Sequence, residues 1–111
     1  QIKPDNPRLK DFDEIVLFCQ QHNIKLIFNL LAENTEYAQQ YVGKELVQIM
    51  RYNSNLLVRR YSKKRGVTVV DNLELLEGLD FSDQNWTTEH YGYNGRLQIA
   101  KQLAKALRYS K

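Results

Sequence analysis

The residues best suited to chemistry stand together in one stretch, residues 81–96. It contains the acids Asp83 and Glu89, the histidine His90, and several aromatic residues and glycines, just before a predicted helix. A histidine that an acid orients can serve as general base for a hydroxyl nucleophile brought from elsewhere in the fold. Glu89 adjoins His90 and Asp83 lies seven residues before it, so both are candidates for the orienting acid.

The same stretch also fits a purely structural role at the start of a helix. In that interpretation Asn94 is the N-cap and Gly95 permits a tight turn into the helix. Trp86 and Tyr91 would then cover the end of the core. Spacing alone is compatible with both interpretations.

Neither a metal site nor a cofactor is expected. His90 and the two acids are too few and too loosely spaced to indicate zinc, and the chain has no glycine-rich phosphate loop. Cys19, the single cysteine, falls on the apolar face of a predicted helix and is expected in the core. His22 is expected to be a solvated residue at a helix end.

Length and charge limit the classes of protein that fit. The chain has 111 residues and a formal net charge of +3, which is small for a dedicated nucleic-acid binder. No apolar run approaches the roughly 20 residues that cross a bilayer. The basic cluster at 59–65 is expected to be a solvated face near a helix C-terminus, with a phosphate or nucleic-acid site as the alternative. We therefore expect one domain or less and no nucleic-acid partner.

The elements that must position the candidate residues alternate between helix and strand. Asn6 followed by Pro7 predicts the start of an amphipathic helix that continues to about His22. The nearly continuous apolar run 24–31 is typical of a strand buried on both faces of a parallel sheet. The remaining predicted elements are a helix over 36–64 with a break near Gly43, a strand over 67–70, and a helix over 93–109 with Ile99, Ala100, Leu103, Ala104 and Leu107 on one face.

This order predicts a three-layer α/β/α fold of flavodoxin-like type, in which the two strands are parallel and adjacent or nearly so. Ligand sites in such folds gather at the carboxyl ends of the strands, here residues 32–34 and 71–72. Two apolar strands cannot cover three amphipathic helices and also protect their own edges. We therefore expect the C-terminal part of a larger domain, or strands supplied by another chain through self-association.

The stretch 88–100 resembles the C-terminal histidine block of the SGNH/GDSL-type hydrolases. In that family a histidine ends a loop and a glycine opens the last helix, as His90 and Gly95 do in this chain. The predicted order of elements is similar too. The pattern from His90 to Gly95 is also similar to that of relatives that transfer D-alanine or acetyl groups onto cell-envelope polymers.

The resemblance implies hydrolysis or transfer of an acyl group through a serine, with His90 as the catalytic base. It implies an acyl-ester or polymer substrate, for which Asn34, Tyr91 and Tyr93 are the candidate binding residues. It also favours an extracytoplasmic or cell-envelope location, with any membrane anchor outside this chain.

Two features of the family have no counterpart in the sequence. The family's acid usually stands three residues before the histidine, where this chain has Thr87. The family's nucleophile block and oxyanion-hole residues belong to an N-terminal half, and no such block occurs here. The chain by itself is therefore not expected to be active, because His90 has no nucleophile to activate. The alternative function is a non-catalytic protein-interaction domain with Trp86, Tyr91 and Tyr93 as interface anchors.

Overall fold

The computed structural model describes residues 1–82 and 90–109 of the chain. Its elements, in order, are helix α1 (Pro7–Gln21), strand β1 (Leu26–Leu30), the short helix α2 (Thr35–Tyr37), a π-helical turn (Ala38–Val42), helix α3 (Lys44–Tyr61), strand β2 (Val67–Asp71), a 3₁₀ turn (Gly78–Asp80) and helix α4 (Tyr93–Tyr109). The protein is thus a mixed α/β structure with a small parallel sheet.

Helix α1 begins and ends where the sequence predicts. The Asn6 side chain accepts a hydrogen bond from the Arg8 backbone N–H at 2.9 Å, and Pro7 occupies the first helical position. The helix is followed by Asn23 in the left-handed region, with a φ of 56°. That conformation turns the chain toward β1. Cys19 is buried on the inner face of α1, as expected.

The long helix predicted over 36–64 is divided at Gly43. The Gly43 backbone N–H donates to the Ala38 carbonyl at 2.8 Å and closes the π-helical turn. Gly43 has a φ of +133°, which a side chain would strain, and α3 starts immediately after it. The predicted break is therefore confirmed, and the glycine is its cause.

Strands β1 and β2 are parallel neighbours, which confirms the predicted pairing. Their register runs from Leu26 opposite Val67 to Leu30 opposite Asp71. The expected burial of the first strand is wrong, because all five residues of β1 remain partly exposed. The physical reason is that the described residues place only two strands in the sheet, so β1 is also an edge strand.

One core cluster ties α1 and α3 to a single face of the sheet. Tyr61 packs against Phe28 with ring centroids 5.0 Å apart, and its hydroxyl donates to the Leu9 carbonyl and to Asp13. Arg60 binds the same Asp13 carboxylate through two nitrogens, at 3.1 and 2.6 Å. The hydrogen bond from Arg60 holds the pKa of Asp13 below its usual range. One residue of the basic cluster thus joins two helices.

Helix α4 has the predicted range but a different inner face. Gly95 is buried and Ile99 and Leu103 are partly buried, whereas Ala100, Ala104 and Leu107, which were expected on the same face, are exposed. The helix also begins at Tyr93, so the alternative role of Asn94 as its N-cap is wrong. The apolar surface of α4 is wider than the side that meets the sheet.

The molecule is more extended than a closed domain of its length. The radius of gyration is 15.1 Å, against about 13 Å for a compact domain of this size. Within the described residues, no helix is both long and apolar enough to cross a membrane.

Candidate functional site

The segment that carries His90 is anchored by its backbone. Phe81 and Tyr91 form an isolated antiparallel bridge, so the two ends of the histidine loop are held side by side. The His90 carbonyl accepts two hydrogen bonds from Ser82, from the backbone N–H at 2.7 Å and from the hydroxyl at 3.0 Å. The His90 side chain is exposed. The main chain thus fixes the position of the histidine while its ring remains accessible.

Tyr91 places this segment at the carboxyl end of β1. Its hydroxyl donates to the carbonyl of Ala32, which is fully buried just beyond the strand, at 2.8 Å. Its ring also packs against Phe81 with centroids 5.6 Å apart. Ligand sites of parallel α/β sheets lie at this end of the strands. His90 directly precedes Tyr91 and is therefore held near the carboxyl end of β1, where the sequence predicts a ligand site.

Two glycines allow the start of α4 to approach the 3₁₀ turn. The Gly92 N–H donates to the Asp80 carbonyl at 2.7 Å. A Cβ at Gly95 would lie only 2.7 Å from that same carbonyl oxygen, whereas a Cβ at Gly92 would lie 3.4 Å from it. Glu36 in turn anchors the 3₁₀ turn, because its carboxylate accepts a hydrogen bond from the Gly78 N–H at 3.0 Å. The histidine segment is thus built on contacts that a larger residue at Gly95 would disrupt.

We expect Gly95→Ala to destabilise the protein by about 1 to 3 kcal/mol, the usual cost of overpacking. At a helical position with open space around it, Gly→Ala would instead stabilise the protein by about 1 kcal/mol. Urea denaturation of both glycine variants measures the effect, with Gly92→Ala as the matched control, since its added methyl lies at ordinary contact distance. A Gly95→Ala variant as stable as the parent would show that the close approach to Asp80 is not maintained in solution.

A partly buried pair of amide side chains joins β1 to the residue that follows β2, at the same end of the sheet. Asn72, which is 2% exposed, donates from Nδ2 to Oδ1 of Asn29 at 2.7 Å. Backbone pairing continues past the ends of β1 and β2, because the Glu33 N–H donates to the Leu73 carbonyl at 3.1 Å. Sequence reasoning missed Asn29, although a lone amide inside the apolar run 24–31 was a signal for it.

The candidate substrate residues occupy three different environments. Asn34 is 2% exposed and accepts from the Tyr37 N–H at 3.1 Å, so it caps α2 from within the structure. Tyr91 uses its hydroxyl to bind Ala32, as described above. Tyr93 is 72% exposed in the first turn of α4. Asn34 and Tyr91 are thus brought to one end of β1 as supporting groups, whereas Tyr93 faces outward. The proposed orienting acids, Asp83 and Glu89, and the aromatic Trp86 lie outside the described residues.

A polar cleft of about 440 Å³ lies beyond the carboxyl end of β2. Its walls include Asn55 of α3, Gln102 of α4 and an ion pair between Arg51 and Glu74. The hydrogen bond from Arg51 keeps the pKa of Glu74 below its usual range. These polar side chains and the ion pair make this side of the sheet hydrophilic.

Among the residues that the structure describes, the other titratable groups do not gather into a cluster. In the ranges 1–82 and 90–109, no three histidine, cysteine or acidic side chains come together as metal ligands would. His22 is exposed at the end of α1, where its ring lies against Phe18 and its Nδ1 is 2.9 Å from the Phe18 carbonyl. Its position at the amino end of β1 separates it from the His90 segment.

Comparisons with known proteins neither support nor contradict the resemblance of the stretch 88–100 to the SGNH/GDSL-type hydrolases. No protein-family model matches the chain, and neither the curated proteins nor the solved structures include a match to it.

Proposed function

We propose that this chain is the C-terminal portion of an SGNH-like serine esterase or acyltransferase and supplies its catalytic histidine, His90. The observation that carries the proposal is the hydrogen bond from Tyr91 to the Ala32 carbonyl, which attaches the histidine segment to the carboxyl end of β1. The substrate would be an acyl ester, and in the transferase case the acceptor would be a hydroxyl of a polymer. An extracytoplasmic location belongs to the same proposal.

In this reaction the His90 imidazole would remove the proton from a serine hydroxyl as the serine oxygen attacks the ester carbonyl. The imidazolium would then return the proton to the departing alkoxide, leaving an acyl-serine. A water molecule or an acceptor hydroxyl would then give its proton to His90 as its oxygen attacks the acyl group. The bond between the acyl group and the serine oxygen would break, the imidazolium would return the proton to that serine oxygen, and an acid or a new ester would leave. The serine and the oxyanion-stabilising groups would come from a part of the domain other than residues 1–111.

The complete domain would have three layers, with helices on both faces of a longer parallel sheet. Three features of the chain support this arrangement: β1 and β2 are parallel, α1 and α3 pack against one face of the sheet, and α4 contacts both strands. The additional strands would also bury β1. Burial on both faces fits the apolar sequence of this strand, whereas all five of its residues are partly exposed in the structure.

A serine-directed fluorophosphonate probe tests the proposed chemistry. We expect the full-length gene product to hydrolyse p-nitrophenyl acetate and to be labelled at a serine outside residues 1–111, whereas the chain alone does neither. A full-length protein that neither reacts with the probe nor cleaves simple acyl esters would contradict the proposal. The alternative, a non-catalytic interaction domain, would then be favoured by the large apolar side chains that the structure exposes, among them Leu79 and Tyr93.

A further inference from the structure

A smaller cleft lies just past the carboxyl end of β1, between the helical stretch 35–42 and the 3₁₀ turn. Its volume is about 200 Å³. Tyr37, Gln40 and Tyr41 line it on the helical side, and Gly78 and Leu79 line it on the side of the turn. This space is suited to a ligand unit of the size of a single sugar ring.

Two aromatic rings form a platform in the cleft. Tyr37 and Tyr41 are four residues apart on the helical stretch, a spacing that brings side chains together on one side. Their ring centroids are 4.7 Å apart at an interplanar angle of 33°, and Tyr41 is 66% exposed. The face of an aromatic ring carries partial negative charge, which attracts weakly positive C–H groups. The platform therefore suits a ligand whose ring presents C–H groups on its face.

Hydrogen-bonding groups border the same platform. The Glu36 carboxylate accepts from the Gly78 N–H through Oε2, and a carboxylate has further lone pairs for a ligand hydroxyl. The exposed side chain of Gln40 carries both a donor and an acceptor. A ligand that combines an apolar ring face with several hydroxyls would satisfy the platform and these polar groups together.

Hydrogen bonds between the two sides of the cleft hold its shape. Asn34 is 2% exposed and accepts from the Tyr37 N–H, which fixes the start of the helical stretch. The Glu36–Gly78 bond joins this stretch to the 3₁₀ turn. A Cβ at Gly78 would lie 2.8 Å from Oε2 of Glu36, so a side chain there would displace the carboxylate. A site that is already ordered loses less entropy when a ligand binds.

Charge limits the class of ligand that fits the cleft. Among the described residues that line it, Glu36 is the only charged side chain, and it is negative. Phosphates and polyanionic chains are bound through arginine and lysine, so their charge opposes binding here. The lining therefore favours a neutral ligand.

We propose that this cleft binds a neutral carbohydrate whose pyranose ring stacks on the Tyr37–Tyr41 platform and whose hydroxyls bond to Glu36 and Gln40. Sugars of the gluco configuration fit best, because their equatorial hydroxyls leave C–H groups on both ring faces. The role of this sugar, as the polymer acceptor or as part of the ester substrate, rests on the proposed function.

The position of the cleft connects it to the histidine segment. The 3₁₀ turn that lines the cleft also contacts that segment, because the Asp80 carbonyl accepts from the Gly92 N–H at 2.7 Å. On the other side, the chain runs from Ala32, which binds Tyr91, directly into the helical stretch. A glycan held in the cleft would thus lie at the same end of β1 as His90.

An NMR titration of the full-length gene product with cellopentaose, a neutral chain of glucose rings, tests the proposal. We expect saturable binding that Tyr41→Ala weakens by about tenfold or more, the loss expected when an aromatic stacking contact is removed. Tyr109→Ala is the matched control, since Tyr109 is 69% exposed at the far end of α4. This variant should bind cellopentaose as tightly as the parent.

Chemical shifts in the same titration locate the site without any substitution. We expect the amide signals of Tyr41 and Leu79 to move as the sugar binds, whereas the amide of Asn23, at the other end of β1, stays in place. Absence of saturable shifts, or equal affinity in the Tyr41→Ala protein, would overturn the proposal. Adenosine or glycerol phosphate that binds as tightly as cellopentaose would overturn it too.

The titration does not depend on catalysis, so its result is separable from that of the esterase test. A protein that binds cellopentaose at Tyr41 but cleaves no acyl ester would overturn the proposed function and leave the carbohydrate site intact. A protein that cleaves esters but does not bind cellopentaose would overturn the carbohydrate site alone.

Discussion

Replacing His90 with alanine is expected to reduce ester turnover by the full-length protein on the order of 10⁴-fold or more, because the serine loses the group that removes its proton. The same substitution should leave stability nearly unchanged. The His90 segment is held through its carbonyl, which accepts from Ser82 and which alanine retains. Steady-state turnover of an acyl ester and a urea denaturation curve together measure both effects.

His22→Ala is the matched control for this experiment. His22 is the other histidine of the chain, it is also exposed, and it lies at the amino end of β1. We expect this variant to retain full turnover. A His90→Ala protein with the turnover of the parent would remove the catalytic interpretation and leave the interaction domain in its place.

The largest loss of stability is expected for Tyr61→Ala, at about 3 to 5 kcal/mol, the range for removing a large buried aromatic side chain. Tyr61 is 3% exposed and forms the centre of the cluster between α1, α3 and the sheet. A change of this size is a large part of the total stability of a typical domain. Urea denaturation monitored by circular dichroism provides the measurement.

Two further variants separate the contributions of Tyr61. Tyr61→Phe keeps the ring but removes the hydroxyl that donates to Leu9 and Asp13, with an expected cost of about 1 to 2 kcal/mol. Tyr109→Ala removes an exposed tyrosine at the end of α4 and should change stability by less than about 0.5 kcal/mol. Equal effects for Tyr61→Ala and Tyr109→Ala would contradict the assigned core.

The elements that depend on local chemistry could be predicted from the sequence. Asn6 and Pro7 specify the start of α1, and Gly43 specifies the interruption before α3, because caps, fixed dihedral angles and a positive φ are properties of a few neighbouring residues. The parallel pairing of the strands was also predictable, since a helix between two apolar strands requires a crossover connection.

The environment of individual side chains depended on the tertiary structure. Periodicity placed Ala100 and Leu103 on one face of α4, but the width of the sheet beneath the helix determines how much of that face is covered. The Asn29–Asn72 bond and the Tyr91–Ala32 bond join residues far apart in the chain, and no local pattern encodes such distances. Local signals thus determined the elements and their order. Only the folded chain decided which residues meet at the carboxyl end of the strands, because that depends on the packing of all the elements together.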